Sequence, residues 1–183
     1  EDASWKASPG NAAPEPIIDA PPSITPELLE LTIGQGISLD SSNYPNEFVR
    51  HRNFEIWRDP FQNNDLYKKD STFTVRPANN KKDRYISFES VNYPGRFIRH
   101  ANYVLWLHES DGSTLFNDDS SFRVTAPRNG KAGYVSFESS NFPNHFIRHA
   151  GGRVRIDSSQ NTNLYNEDAS WKASPGNAAP EPI

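Results

Sequence analysis

The stretch Ile86-Ser87-Phe88-Glu89-Ser90-Val91-Asn92-Tyr93-Pro94-Gly95-Arg96-Phe97-Ile98-Arg99-His100 occurs three times in variant form, and its spacing decides the fold. Ile37-Ser38-Leu39 stands 49 positions before its start, and Val135-Ser136-Phe137 stands 49 after it. Ser41, Asn43 and Pro45 return as Ser90, Asn92 and Pro94, then as Ser139, Asn141 and Pro143. Phe48, Arg50 and His51 return as Phe97, Arg99 and His100, then as Phe146, Arg148 and His149. Outward from this stretch the register holds without a gap. Leu66 maps to Leu115 and Leu164, Asp70 to Asp119 and Asp168, and Phe73 to Phe122 and Trp171. Three such units run from about Leu29 to Pro175, and an internal period of this length marks a repeat architecture.

Each unit offers four short candidate strands, rich in β-branched and aromatic residues and bounded by Asn, Pro, Gly and Asp. In the middle unit these are Tyr85 to Glu89, Arg96 to His100, Val104 to His108 and Ser121 to Val124. Tyr103, Leu105 and Leu107 alternate with Val104 and Trp106, as in a strand with one buried face. Pro45, Pro94 and Pro143 are expected in the turn between the first two strands, because proline cannot donate to a central ladder. No stretch of the repeats shows a helical apolar period. Twelve strands in three equal units predict an all-β fold closed with pseudo-threefold symmetry, and a β-trefoil satisfies that count.

The chain has 183 residues, 19 Lys plus Arg against 23 Asp plus Glu, and a formal charge of -4. It lacks the basic footprint that phosphate backbones select, so nucleic acid is not an expected partner. Mean hydropathy is -0.79 and no apolar run approaches the roughly 20 residues of a membrane helix, so no membrane insertion is expected. The absence of cysteine excludes disulfides, thiolate zinc sites and cysteine nucleophiles. There is no methionine either, and the sequence reads as part of something longer.

A second period, of 166, supports that expectation: Glu1–Ile17, EDASWKASPGNAAPEPI, is identical to Glu167–Ile183. The pattern predicts a tandem array of near-identical modules, the first copy being the tail of a preceding one; a deliberate permutation is the alternative. The expected division is a preceding tail and proline-rich linker at 1–34, the trefoil at 35–175 and the start of the next linker at 176–183. Six of the 15 prolines fall in the first segment, which favours an extended spacer. Within it, Thr25-Pro26-Glu27 ahead of Leu28 and Leu29 has the marks of a short helix start. Asp2 to Trp5 repeats the expected last strand, so the first copy is also a candidate for exchange into a neighbouring molecule.

The second strand of every unit ends in Arg-His, and an Asp follows 19 residues after each histidine: His51 with Asp70, His100 with Asp119, His149 with Asp168. Such a pair donates and accepts hydrogen bonds at once, as neighbouring sugar hydroxyls require. The competing structural reading has each pair fixing a loop, alone or through Arg50, Arg99 or Arg148. Repetition cannot separate the two, because packing residues repeat as faithfully as binding residues do.

Ser-x-Asn-Tyr/Phe-Pro-x-x-Phe-Ile/Val-Arg-His followed by Asp-x-Ser/Thr-Phe/Trp resembles the arabinose-binding (AbfB-type) domain of arabinofuranosidases, the family 42 carbohydrate-binding modules. The resemblance covers about Gly36 to Pro175. It implies a β-trefoil that binds α-L-arabinofuranosyl side chains of arabinoxylan, arabinan or arabinogalactan, without a cofactor; the 166-residue array adds the expectation of a secreted or cell-surface protein. It nominates His51, Asp70, His100, Asp119, His149 and Asp168 in up to three pockets, with Phe54 and Tyr103 as flanking aromatics. The third unit departs from the pattern, with Ala150-Gly151-Gly152 where the others carry an Asn and an aromatic, so its pocket is expected to be weaker. Asp40 likewise stands where the others have Glu89 and Glu138.

Phe48, Phe97, Phe146, Phe73, Phe122 and Trp171 are assigned to the core. Trp57 and Trp106 are either stacking platforms or half-buried on the cap; His108 and His145 read as surface residues. Catalytic residues are expected to be none, since no nucleophile elbow, zinc motif or phosphate loop is present. Metal is expected to be none, since symmetry keeps the three pairs apart. The reading is therefore a non-catalytic carbohydrate-binding module, one unit of an array whose neighbouring copies add avidity. The rivals are an adhesive spacer repeat and a fragment of an arabinan-cleaving enzyme.

Overall fold

The computed structural model describes residues 31–180; the proposed linker, the Thr25 helix start and the first copy of the duplicated segment lie outside them. The first unit runs β1 (Gly36–Ser41), β2 (Glu47–Arg52), β3 (Glu55–Pro60), α1 (Asp65–Asp70) and β4 (Phe73–Pro77). The second runs β5 (Tyr85–Ser90), β6 (Arg96–Ala101), β7 (Val104–Glu109), α2 (Thr114–Asp119) and β8 (Phe122–Thr125). The third runs β9 (Ser136–Ser139), β10 (His145–Ala150), β11 (Arg153–Ser158), α3 (Asn163–Asp168) and β12 (Trp171–Pro175).

The all-β class holds, and Pro45, Pro94 and Pro143 sit in the turns between the first and second strands of their units. The short helices correct the expectation of none. Each is six residues long, too few to display an apolar period, and begins at a side-chain cap: Asn64, Ser113 and Thr162 accept from the backbone N–H of Tyr67, Phe116 and Tyr165.

The last strand of each unit pairs chiefly with the first strand of the next. β4 pairs β5 from Phe73↔Ser90 to Pro77↔Ile86, β8 pairs β9 from Phe122↔Ser139 to Thr125↔Ser136, and β12 pairs β1 from Trp171↔Ser41 to Pro175↔Ile37. Shorter contacts β1–β4 and β5–β8, with a bridge from Val135 to Trp171, complete a closed ring of six strands. The remaining strands form the hairpins β2–β3, β6–β7 and β10–β11, which meet through Glu55↔Trp106, Val104↔Arg155 and Trp57↔Arg153. A ring of six under a triangle of three hairpins is a β-trefoil-like arrangement.

Alternate residues of the ring point inward, so Leu39, Val75, Phe73, Phe88, Phe122, Phe137 and Trp171 share one core with Ile56, Leu105 and Val154 from the hairpins. Phe48, Phe97 and Phe146 are corrected in position. They lie outside this core, beneath the helices, where Phe48 meets Phe61, Phe97 meets Phe116 and Phe146 packs with Tyr165. Trp57 and Trp106 are half-buried rather than free platforms: the guanidinium of Arg52 lies 4.1 Å from the Trp57 ring centre and that of Arg153 lies 4.6 Å from Trp106.

The expected linker start at 176 is also revised, because residues 176–178 dock on the barrel. Asn177 N–H donates to Ser38 Oγ (2.9 Å), its side-chain amide to Ser71 Oγ (2.9 Å), and Ala178 N–H to Thr72 Oγ1 (2.9 Å). Equivalent bonds run from Asn79 to Ser87 and Ser120.

Candidate functional site

Each His ends up within 3.5 Å of the Asp of its own unit, because the second strand carries His and the helix that crosses it carries Asp at its last position. His51 Nε2 lies 3.5 Å from Asp70 Oδ1, His100 Nε2 is 3.5 Å from Asp119 Oδ1, and His149 Nε2 is 3.4 Å from Asp168 Oδ1. The cluster is completed by the following unit, whose Ser-x-Asn turn reaches across. His51 Nε2 meets Asn92 Oδ1 at 2.9 Å while Asn92 Nδ2 donates to Asp70 Oδ1 at 2.9 Å. Asn141 serves His100 and Asp119 in the same way, and Asn43 serves His149 and Asp168. On its other oxygen each Asp accepts from the adjacent arginine: Arg50 to Asp70 (2.9 Å), Arg99 to Asp119 (2.7 Å), Arg148 to Asp168 (2.9 Å).

These bonds assign the tautomer. An ionised Asp needs the Asn amide N–H, so the Asn carbonyl faces Nε2, which therefore carries the proton and donates. Nδ1 is left as an acceptor. In His51 and His100 it has no hydrogen-bond partner among the described residues and is not enclosed by them, so an unused acceptor reaches the surface of the first two clusters. In the third cluster Arg58 Nη1 donates to His149 Nδ1 at 2.7 Å. The residues equivalent to Arg58 are Leu107 and Ile156, both fully buried, so only the first unit sends a guanidinium outward here.

The histidines are 2–4% exposed and the aspartates 4–5%. Burial lowers the pKa of His51 and His100, and it takes His149 down to about 4, the neighbouring Arg58 and Arg148 adding to the shift while Asp168 opposes it. All three rings are neutral at pH 7.

Above the imidazoles stand exposed aromatics. Tyr93, 43% exposed, meets His51 edge-on at 5.4 Å, and Phe54, 38% exposed, meets Tyr93 at 5.4 Å. In the second cluster Phe142 meets His100 at 4.8 Å and Tyr103 at 5.4 Å, and His145 stacks on Tyr103 at 5.9 Å. Phe54 and Tyr103 occupy hairpin tips with φ of 60° and 68°, a left-handed conformation that bulky side chains rarely adopt. Gly152 takes the equivalent place in the third unit with φ 85°. There the guanidinium of Arg58 lies 3.6 Å from the Tyr44 ring centre in place of a second aromatic.

The sequence pattern of the "Alpha-L-arabinofuranosidase B (ABFB) domain" matches residues 30–124 and, overlapping them, 78–173. The chain belongs to the AbfB domain family. These are the family 42 carbohydrate-binding modules. Among solved structures the AbfB chain is similar to a GH54 α-L-arabinofuranosidase (E221Q mutant) soaked with 4-nitrophenyl α-L-arabinofuranoside, at 26% identity and TM-score 0.73, over 80% of this chain and 32% of that one. It is equally similar to an arabinofuranosidase complexed with arabinofuranosyl-α-1,2-xylobiose, at 26% identity and TM-score 0.73, over 81% and 32%. The chain thus spans about a third of those enzymes. A BEL β-trefoil, at 13% identity and TM-score 0.60 over 79% of this chain and 94% of that one, shares the fold. No curated protein sequence matches the chain.

In this AbfB domain all eight nominated residues lie in three clusters, except that the third lacks the aromatic. The sequence reading missed the partners from the neighbouring unit, Asn92, Asn141, Asn43, Tyr93, Phe142 and Tyr44, together with Arg58. The Asn-aromatic pairs were visible as a repeated turn motif, but a period identifies equivalent residues and does not say which unit they face. His145, expected as a plain surface residue, flanks the second cluster; His108 instead meets Arg99 Nη1 at 3.1 Å. Among the described residues no group of three His, Cys, Asp or Glu is arranged to hold a metal.

Proposed function

We propose that this domain is a non-catalytic module that holds terminal α-L-arabinofuranosyl units of polysaccharides in the clusters of His51–Asp70 and His100–Asp119, the third being closed by Arg58 from the first unit. The observation that carries the reading is the unused Nδ1 acceptor beneath an aromatic lip, present in the first two clusters and capped by Arg58 in the third. A furanose hydroxyl donates to Nδ1 and neighbouring hydroxyls donate to the Asp oxygens, which retain free lone pairs, while the ring face covers Phe54 or Tyr103. The family membership and the arabinofuranosyl ligands of the similar enzymes supply the sugar. A small polar ligand exchanges water hydrogen bonds for protein ones, so each site is weak; two sites per module, and more in a secreted or surface-bound array, raise avidity.

Calorimetric titration with arabinofuranosyl oligosaccharides tests this. The parent binds with a stoichiometry near two; His51→Ala and His100→Ala each leave about one site, and His149→Ala leaves both. Unchanged stoichiometry in the first two variants, or loss in the third alone, defeats the assignment.

A further inference from the structure

The strand that closes the barrel has a second copy elsewhere in the chain. In the seat itself, Trp171 is fully buried, exchanges backbone hydrogen bonds with Val135 at 2.8 and 2.9 Å, and donates from its indole to the Ile147 carbonyl at 3.0 Å. Lys172–Pro175 pairs with β1, and Asn177 and Ala178 bond to Ser38, Ser71 and Thr72. Glu1–Ile17 repeats Glu167–Ile183 without one difference, so it carries every group these contacts use: Asp2 for Asp168, Trp5 for Trp171, Asn11 for Asn177 and Ala12 for Ala178.

The connection permits the replacement. Gly176 N–H donates to Gly36 O at 3.0 Å, and a cavity of about 650 Å³ is lined on one side by Gly34, Gln35 and Gly36 and on the other by Gly176, Ala178 and Pro180. The end of the seat therefore faces the start of the barrel. Residues 18–30 join the first copy to Leu31, and a chain of that length extends to about 45 Å, far more than the width of the cavity. Closing so short a loop costs little, and tethering raises the local concentration of the first copy to about millimolar.

We propose that Glu1–Ile17 of the same chain is an interchangeable occupant of the seat between β1 and β9, so that the barrel closes with either copy and the chain is its own circular permutant. The third His–Asp cluster draws its carboxylate from Asp168, bonded to Arg148 and Asn43, and Asp2 repeats that residue in the first copy. In an array built from such units each boundary segment serves the barrel before it or the barrel after it.

Thermal unfolding of the full chain in three variants tests the proposal independently of sugar binding. Trp171→Ala and Trp5→Ala each leave the midpoint within about 2 °C of the parent, because the intact copy fills the seat, whereas the double variant loses about 10 °C or more. A Trp171→Ala midpoint as low as that of the double variant, with Trp5→Ala silent, overturns it, as does a double variant as stable as the parent. Light scattering supplies the second readout. Trp171→Ala stays monomeric across a wide concentration range; a mass that rises with concentration assigns the seat to a neighbouring molecule's segment and overturns closure within one chain.

Discussion

At the scale of single residues, the aromatics at the hairpin tips are placed where the backbone resists them. Two consecutive residues with positive φ make the tight turn that suits a two-residue hairpin, and Asn53 and Asn102 tolerate the first place. Phe54 and Tyr103 take the second at a cost of about 1–2 kcal/mol, while the third unit uses glycine there. The strained pair pack on Tyr93 and Phe142, the rings that meet the open imidazoles, and the unstrained glycine belongs to the unit whose cluster Arg58 has capped; strain is kept where a side chain is needed. The comparison of two truncations separates strain from lost packing. Phe54→Gly is expected to be about 1 kcal/mol more stable than Phe54→Ala in urea denaturation, the reverse of the usual order in a strand-rich protein, because only glycine relieves the left-handed backbone. Both variants lose sugar binding at the first cluster alike. Alanine proving as stable as glycine would mean that the turn stores no strain.

At the scale of elements, the first strand of each unit is tied to the turn that follows it by one carboxylate. Glu89 Oε2 accepts from Gly95 N–H at 2.7 Å and its Oε1 from Arg76 at 2.7 Å; Glu138 accepts from Asn144 N–H at 2.7 Å and from Arg123. Asp40 is one methylene too short. Its Oδ1 is enclosed without a partner among the described residues, and burial raises its pKa even with Lys172 nearby. Lengthening it, Asp40→Glu, is expected to raise unfolding stability by about 1 kcal/mol, the net worth of a recovered hydrogen bond; a fall in the denaturation midpoint would show that β1 has no room for the longer side chain. This departure was legible in the sequence as a break in the repeat, and so were the strands of the middle unit to within two residues. What was not legible has a common cause. The helices are too short for periodicity, Phe48, Phe97 and Phe146 alternate like core residues yet pack under those helices, and Asn92, Asn141 and Asn43 look like turn formers while their side chains serve the histidine of the unit before. A repeat announces equivalence; contacts between units depend on how the ring closes.

At the scale of the molecule, three neutral histidines lie at the joints between units, so protonation acts on the whole trefoil-like body. Their pKa values in the folded state are below the ordinary 6.5, chiefly through burial, with His149 at about 4. As pH falls through 6.5 the unfolded chain takes up protons first, which favours unfolding. Stability is therefore level above about pH 7 and declines between 6.5 and 4, each histidine contributing a slope of up to about 1.4 kcal/mol per pH unit. The same proton fills Nδ1, the acceptor proposed for the sugar hydroxyl, so affinity at the first two clusters weakens over the lower part of that window while the molecule remains folded. His149 separates the two effects. Its Nδ1 already accepts from Arg58, so His149→Gln is expected to flatten the stability profile between pH 6.5 and 4 and to leave the pH dependence of binding as it was. Denaturation midpoints and titrations across this range measure both. A variant that alters the binding profile and not the stability profile would place the open acceptor in the third cluster, and the role argued for Arg58 would fall with it.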